Sequence, residues 1–186
     1  MWAKVESNVV TELYPNPKPI VIGDVSYPKN IFTSWTEDEL KAANIYPVIH
    51  DTRQYKDPKY YKNSDPVYAY KATITINGIT HKKVVTKSYT GTVAMDLAEL
   101  KVAHKESVND HAASNLKQTD WYALRALDGG TAMPDSIKNH RIAVRTKANE
   151  MCNLIDAATD VDALAALYVY NSDDPPIRPL GEFPII

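Results

Sequence analysis

Five histidines, one cysteine and scattered carboxylates are the side chains here that could do chemistry, and their spacing argues against each use in turn. His50, His81, His104, His111 and His140 contain no His-x-His pair and no His-Glu-x-x-His signature, the spacings that bring two imidazoles to one ion. His104 and His111 are two helical turns apart, roughly 10 Å at about 1.5 Å per residue, too far to share a metal. Cys152 lies among Met151, Leu154 and Ile155 with no base beside it in sequence, which suits a small buried apolar residue better than a nucleophile. No Gly-x-Ser-x-Gly elbow occurs. Asp173-Asp174 stand in a proline-rich tail, not on the rigid scaffold that paired glycosidase carboxylates require. Six scattered glycines form neither a Gly-x-Gly-x-x-Gly turn nor a phosphate loop. The expectation is a protein with no catalytic residue, no metal and no cofactor.

Two constellations remain, and both suit binding. In Thr119-Asp120-Trp121-Tyr122-Ala123-Leu124-Arg125, Trp121 and Arg125 are four apart on a helix, so the guanidinium can lie over the indole. The plain reading is a capped helix, with Thr119 or Asp120 as cap and Trp121 as an anchor in the core. The functional reading is a Trp/Arg contact for a neighbouring subunit. The second constellation is Tyr55, Tyr60, Tyr61 and Tyr68, interleaved with Lys and Arg, which could face a sugar or a base. Its plain reading is a solvated connector. Twelve tyrosines against two phenylalanines favour aromatic surfaces whose hydroxyls stay wet.

The elements that must carry these residues read as α+β. Trp2–Val5 and Val9–Tyr14 flank a polar turn and suggest a small antiparallel hairpin. Pro15, Pro17 and Pro19 then impose an extended connector, followed by a short Ile20–Ile22 strand. Thr36 and Glu39 form a capping box, with Trp35 placed to staple onto Leu40. Ile45–Ile49 is a strand that Pro47 should confine to an edge. Asn77-Gly78 predicts a type I′ hairpin that pairs Ile76 with Ile79, Ile74 with His81 and Tyr70 with Val85. From about residue 92 the period turns helical, with Val93, Leu97, Leu100, His104, Val108 and Ala112 on one stripe. A short helix from Asp120 ends at Gly129-Gly130. A third starts at Pro134 and carries Ile137, Arg141, Val144, Ala148, Met151, Ile155 and Ala158 at near-heptad spacing. That stripe could close a small bundle or form a trimeric seam. Residues 161–167 suggest a last short helix. The expected organisation is an N-terminal β module (1–50), a linker (51–66), a central β-hairpin (67–90), a small helical bundle (91–170) and an extended tail (171–186). The tail ends in apolar Phe183, Ile185 and Ile186, which must dock on the chain itself or on a partner.

Composition narrows the function further. A net charge of −2 and a pI near 6.2 speak against a general nucleic-acid binder. A single cysteine excludes an internal disulfide framework and suits synthesis in a reducing cytoplasm. The opening Met1–Glu6 is no signal peptide, and no run approaches the roughly 20 apolar residues of a membrane span.

Thr119–Arg125, Ala132-Met133-Pro134, Asn139-His140-Arg141 and Ala148-Asn149-Glu150 together resemble the C-terminal module of small tail proteins of tailed bacteriophages. There a Thr-Asp-Trp-x-x-x-Arg helix precedes a proline-started helix bearing a Tyr-Arg pair; His140-Arg141 replaces that pair here. Val9-Val10, Tyr14-Pro15, Tyr27–Phe32, Trp35-Thr36 and Ile45–Val48 resemble the N-terminal module of the same proteins. The resemblance covers about the first fifty residues and about forty near the C-terminus. It implies a non-enzymatic structural subunit of a tail fibre or baseplate, made in the host cytoplasm and retained in the virion. It implies other tail proteins as partners and a homo-oligomer, with a trimer as one form. Trp121, Arg125, Arg141, Trp35, Phe183 and Ile185 carry over as architectural or protein-contact residues. A fibre-assembly chaperone absent from the particle, and a host-glycan module using the tyrosine cluster, are the alternatives.

Overall fold

A computed structural model describes residues 1–185; Ile186, the last of the apolar tail residues, lies outside the described residues. The chain is α+β and divides into two compact units, 1–93 and 94–186.

The first unit is built on a five-stranded sheet of order β2-β1-β5-β8-β7. β1 (Trp2–Glu6) and β2 (Val9–Tyr14) form a hairpin whose turn residues Ser7 and Asn8 both have positive φ, the requirement of a two-residue I′ turn. β3 (Ile20–Ile22) and β4 (Val25–Tyr27) pair separately. Helices α1 (Ile31–Ser34) and α2 (Glu37–Ala42) follow, the latter closed by the Thr36/Glu39 capping box. β5 (Ile45–His50) then enters the sheet between β1 and β8.

That position corrects the edge placement expected from Pro47. In the antiparallel ladder Pro47 faces Trp2, flanked by the bonds Val48 N–H to Met1 O (3.1 Å) and Val5 N–H to Asn44 O (3.0 Å). The parallel ladder to β8 begins one residue later, at Val48 opposite Val85. A missing N–H at this point therefore costs no ladder bond, so a proline fits inside the sheet.

β6 (Tyr61–Asn63) pairs with β9 (Thr92–Ala94), and β7 (Pro66–Ile76) with β8 (Ile79–Tyr89) in the register read from Asn77-Gly78. The separate linker and hairpin modules expected at 51–66 and 67–90 give way to one unit. β8 bonds to β5, and the connector buries Tyr60 and Tyr61 and supplies β6. The helical region begins at 97, not near 92, because residues 92–94 are drawn into the β6 ladder and Asp96 caps the helix by accepting from Glu99 N–H at 2.9 Å.

Alternation along the strands sorts the core into two layers. One face packs Ala3, Val5 and Val85 with Val10, Leu13, Tyr46, Val48, Tyr68 and Tyr70. β2 approaches β7 although they lie at opposite ends of the strand order, so the sheet curls around this layer. The other face packs Tyr14, Ile20, Ile31, Phe32, Leu40 and Ile45 with Trp2, Tyr27 and Trp35, whose ring meets Tyr27 edge-on at 5.2 Å.

The second unit comprises α3 (Leu97–Lys117), α4 (Asp120–Leu127), α5 (Asp135–Ala157) and α6 (Val161–Ala166). α3 buries His104, Val108 and Ala112. α5 buries Arg141, Val144, Ala148, Met151 and Ile155, the stripe read from its spacing. α3 and α5 pack together within one chain, and a covered stripe cannot also serve as a trimeric seam. Lys101 Nζ donates to the Asp156 carbonyl near the end of α5 (2.9 Å), and Lys105 pairs with its carboxylate (2.8 Å). The tail is irregular, but Leu180 is buried and its N–H bonds Leu167 O at 3.0 Å, so the tail docks on its own unit to that point. Ile185 stands 95% exposed.

Candidate functional site

The site grows from the two residues before Trp121 and one on α5. Arg141 occupies a core position of α5, where a guanidinium is costly to bury unless its donors are used. One terminal nitrogen donates to Leu116 O (2.8 Å) at the end of α3 and to Thr119 Oγ1 (2.7 Å); the other donates to Asp120 Oδ1 (2.8 Å). Thr119 Oγ1 in turn donates to Leu116 O at 3.0 Å. Thr119 and Arg141 are only 3% and 8% exposed. The expected helix cap is therefore absent: Thr119 is the N-cap residue of α4 but makes no side-chain cap bond, because its hydroxyl is committed to the α3 carbonyl and to Arg141.

This clamp fixes the start of α4, and the end is fixed by backbone. Gly129 has φ +77°, and Gly130 N–H reaches Arg125 O at 3.0 Å, the closing bond of a Schellman turn. Arg125 Nε also donates to Thr131 O at 3.2 Å.

Held at both ends, α4 buries none of its residues. Trp121 is 50% exposed, Leu124 61% and Leu127 81%, so Trp121 is not the core anchor of the plain reading. The reason is that Arg141 supplies the anchorage with polar bonds. Arg125 lies over the Trp121 ring (4.8 Å) and near Tyr122 (5.3 Å), the stacking read from the four-residue spacing. The stack leaves a stiff apolar surface with one guanidinium in it, a combination enriched at protein contacts.

Arg141, expected from the resemblance as an architectural or protein-contact residue, lies in this clamp; its partners Leu116 and Thr119 were not anticipated. The available signal was the arginine itself: a charged residue on the apolar stripe of α5 demands acceptors nearby.

The tyrosine cluster is not assembled as a ligand face. Tyr60 and Tyr61 are buried, and burial, with Asp57 nearby, pushes the Tyr60 phenol above its usual range. Tyr68 packs in the curled layer of the sheet. Tyr55 alone of the four is exposed, and it stacks on Tyr89 at 4.8 Å. The physical reason is ring area: a tyrosine gains more by burying its ring than by leaving it in water. Trp35 is partly buried against the first unit's core, and Phe183 is half-buried beside α3, lining a cleft with His111 and Tyr168.

His104 bonds Tyr168 Oη through Nδ1 at 2.7 Å. Burial raises the Cys152 thiol, the opposite of what a nucleophile needs. No group of His, Cys, Asp and Glu among the described residues could hold a metal, and no helix among them is long and apolar enough to cross a membrane.

Comparison with protein-family models, with curated proteins and with solved structures finds no match for this chain.

Proposed function

We propose that this chain is a structural subunit of a tailed-phage tail, associated with fibre or baseplate, and that it works by protein contact and not by catalysis. The observation that carries the reading is the face Trp121–Leu124–Leu127, left exposed on a helix that a buried arginine clamp holds in place. A helix that leaves its large apolar residues in water loses their burial energy, so the fold gains little from them and a partner gains much. The resemblance of the Thr-Asp-Trp-x-x-x-Arg segment to phage tail proteins supplies the partner class: other tail proteins, in a homo-oligomeric assembly within the virion. The test is to band phage particles on a density gradient and quantify this chain by mass spectrometry. Stoichiometric presence, lost when Trp121→Ala is supplied instead, supports the reading. Presence in the infected lysate and absence from the particle overturns it in favour of an assembly chaperone.

A further inference from the structure

Arg125 is held in one place on α4, yet its charge has no partner. Its Nε donates to Thr131 O at 3.2 Å. Its guanidinium lies 4.8 Å from the centre of the Trp121 ring and 5.3 Å from that of Tyr122, at the border of the exposed apolar face. A Cβ at Gly130 would fall 2.8 Å from Arg125 Cγ, so the bare glycine is what leaves room for the stem. Among the described residues the two terminal nitrogens of Arg125 donate to nothing, and no carboxylate pairs with it. Asp120 on the same helix is taken by Arg141 at 2.8 Å, and Asp128, three residues on, makes no ion pair. A guanidinium whose Nε is already used keeps one fork of two parallel N–H groups, spaced for the two oxygens of a carboxylate.

We infer that α4 recognises a carboxylate carried on an apolar protein segment. An Asp or Glu side chain of the partner takes the open fork of Arg125, while apolar side chains beside it cover Trp121 and Leu124. The inference rests on the reading of α4 as a contact face and names what that face selects. Charge decides the occupant. Between Lys117 and Lys138, Arg125 is the one basic residue, against Asp120, Asp128 and Asp135. A phosphate-rich chain needs a row of cations and would meet those three carboxylates instead. A single carboxylate in an apolar segment needs one guanidinium only. A purely apolar partner would cover the fork and leave its donors unbonded, which costs affinity. Arg125 therefore discriminates among apolar segments as well as binding one.

The experiment uses the full chain and, as probe, N-acetyl-leucine, which carries one carboxylate and one apolar side chain, beside its neutral amide. Binding is read from the Trp121 indole N–H signal in NMR, identified by its loss in Trp121→Phe. The acid is expected to shift that signal saturably in the millimolar range, about threefold or more tighter than the amide. Arg125→Gln should bring acid and amide level, and Arg125→Lys, which keeps the charge, should retain part of the preference. Unfolding midpoints of the two variants near that of the wild type show that the fold is kept. Equal binding of acid and amide to the wild-type chain, no saturable shift with either, a preference that survives Arg125→Gln, or inorganic phosphate binding as tightly as the acid would each overturn the inference. The contact reading fails separately. If acid and amide bind alike while the Trp121→Ala chain is still lost from particles, the carboxylate falls and the contact face stands.

Discussion

Two neighbouring parts of α4 invert the usual relation between polarity and burial. Thr119, just before the helix, and Arg141 behind it are polar and buried; Trp121, Leu124 and Leu127 are apolar and exposed. A helix of eight residues has almost no stability of its own, so something else must hold it. In most small helices that is an apolar face on the core. Here polar bonds to α3 and α5 do the holding, and the apolar face is left over. The difference teaches that the Thr-Asp-Trp-x-x-x-Arg segment is two devices in series: Thr and Asp attach the helix, and Trp and Arg form what it presents.

The sharpest way to break this contrast is Arg141→Ala. It removes three hydrogen bonds and a long buried stem, and strips Thr119 of its charged partner. The expected loss is about 3 kcal/mol, in the range of broken buried networks. Urea unfolding followed by helical circular dichroism measures it. A loss under 1 kcal/mol would show that α4 is held by something else. Arg141→Lys should recover only part, because an ammonium lacks the planar fork that spans Leu116, Thr119 and Asp120.

Next in size is Thr119→Val, which keeps the shape and deletes the hydroxyl. About 1–2 kcal/mol should go, since Arg141 loses one acceptor in a buried place. The two variants share a partner, so the double variant should cost clearly less than the sum, and a double-mutant cycle reads the difference. Gly129→Ala comes third, at about 1 kcal/mol. A methyl there meets open space, so the cost is purely that of holding alanine at φ +77°.

How much of this was legible beforehand depends on the range of the interaction. The Asn77-Gly78 register, the Thr36/Glu39 box and the Gly129-Gly130 stop are set by residues within a few positions of one another, and all appear as read. The α5 stripe is also local, because helical period fixes which residues share a face. What sequence could not give was pairing across distance. Pro47 reads as an edge marker until β1 and β8 are seen to flank it in ladders that do not need its N–H. Residues 92–94 fit a helical stripe until β6, thirty residues earlier, claims them as a strand. Tyr60 and Tyr61 sit in a polar, aperiodic connector, and nothing in its local spacing marks them as buried. At the candidate site the Trp121–Arg125 stack was local and legible. Its exposure was not, because it depends on Arg141 doing, from α5, the work that Trp121 was expected to do.

The smallest effect on stability is the one that bears most directly on function. Trp121→Ala removes a large ring that is half in water and takes the Arg125 stack with it. Surface truncations of this kind fall within about 0.5 kcal/mol, so the unfolding midpoint should barely move. If the ring is instead a docking anchor, the same change should cost about 2 kcal/mol or more of partner binding, roughly thirtyfold. Leu127→Glu, at a position more exposed still, should repeat the pattern by putting a charge into the contact without touching the clamp. The paired measurement is unfolding of the purified chain beside its incorporation into particles. Loss of incorporation with stability intact marks the exposed face as the working surface. Loss of both would mean that Trp121 holds the helix after all, and the division between attaching and presenting residues would fall.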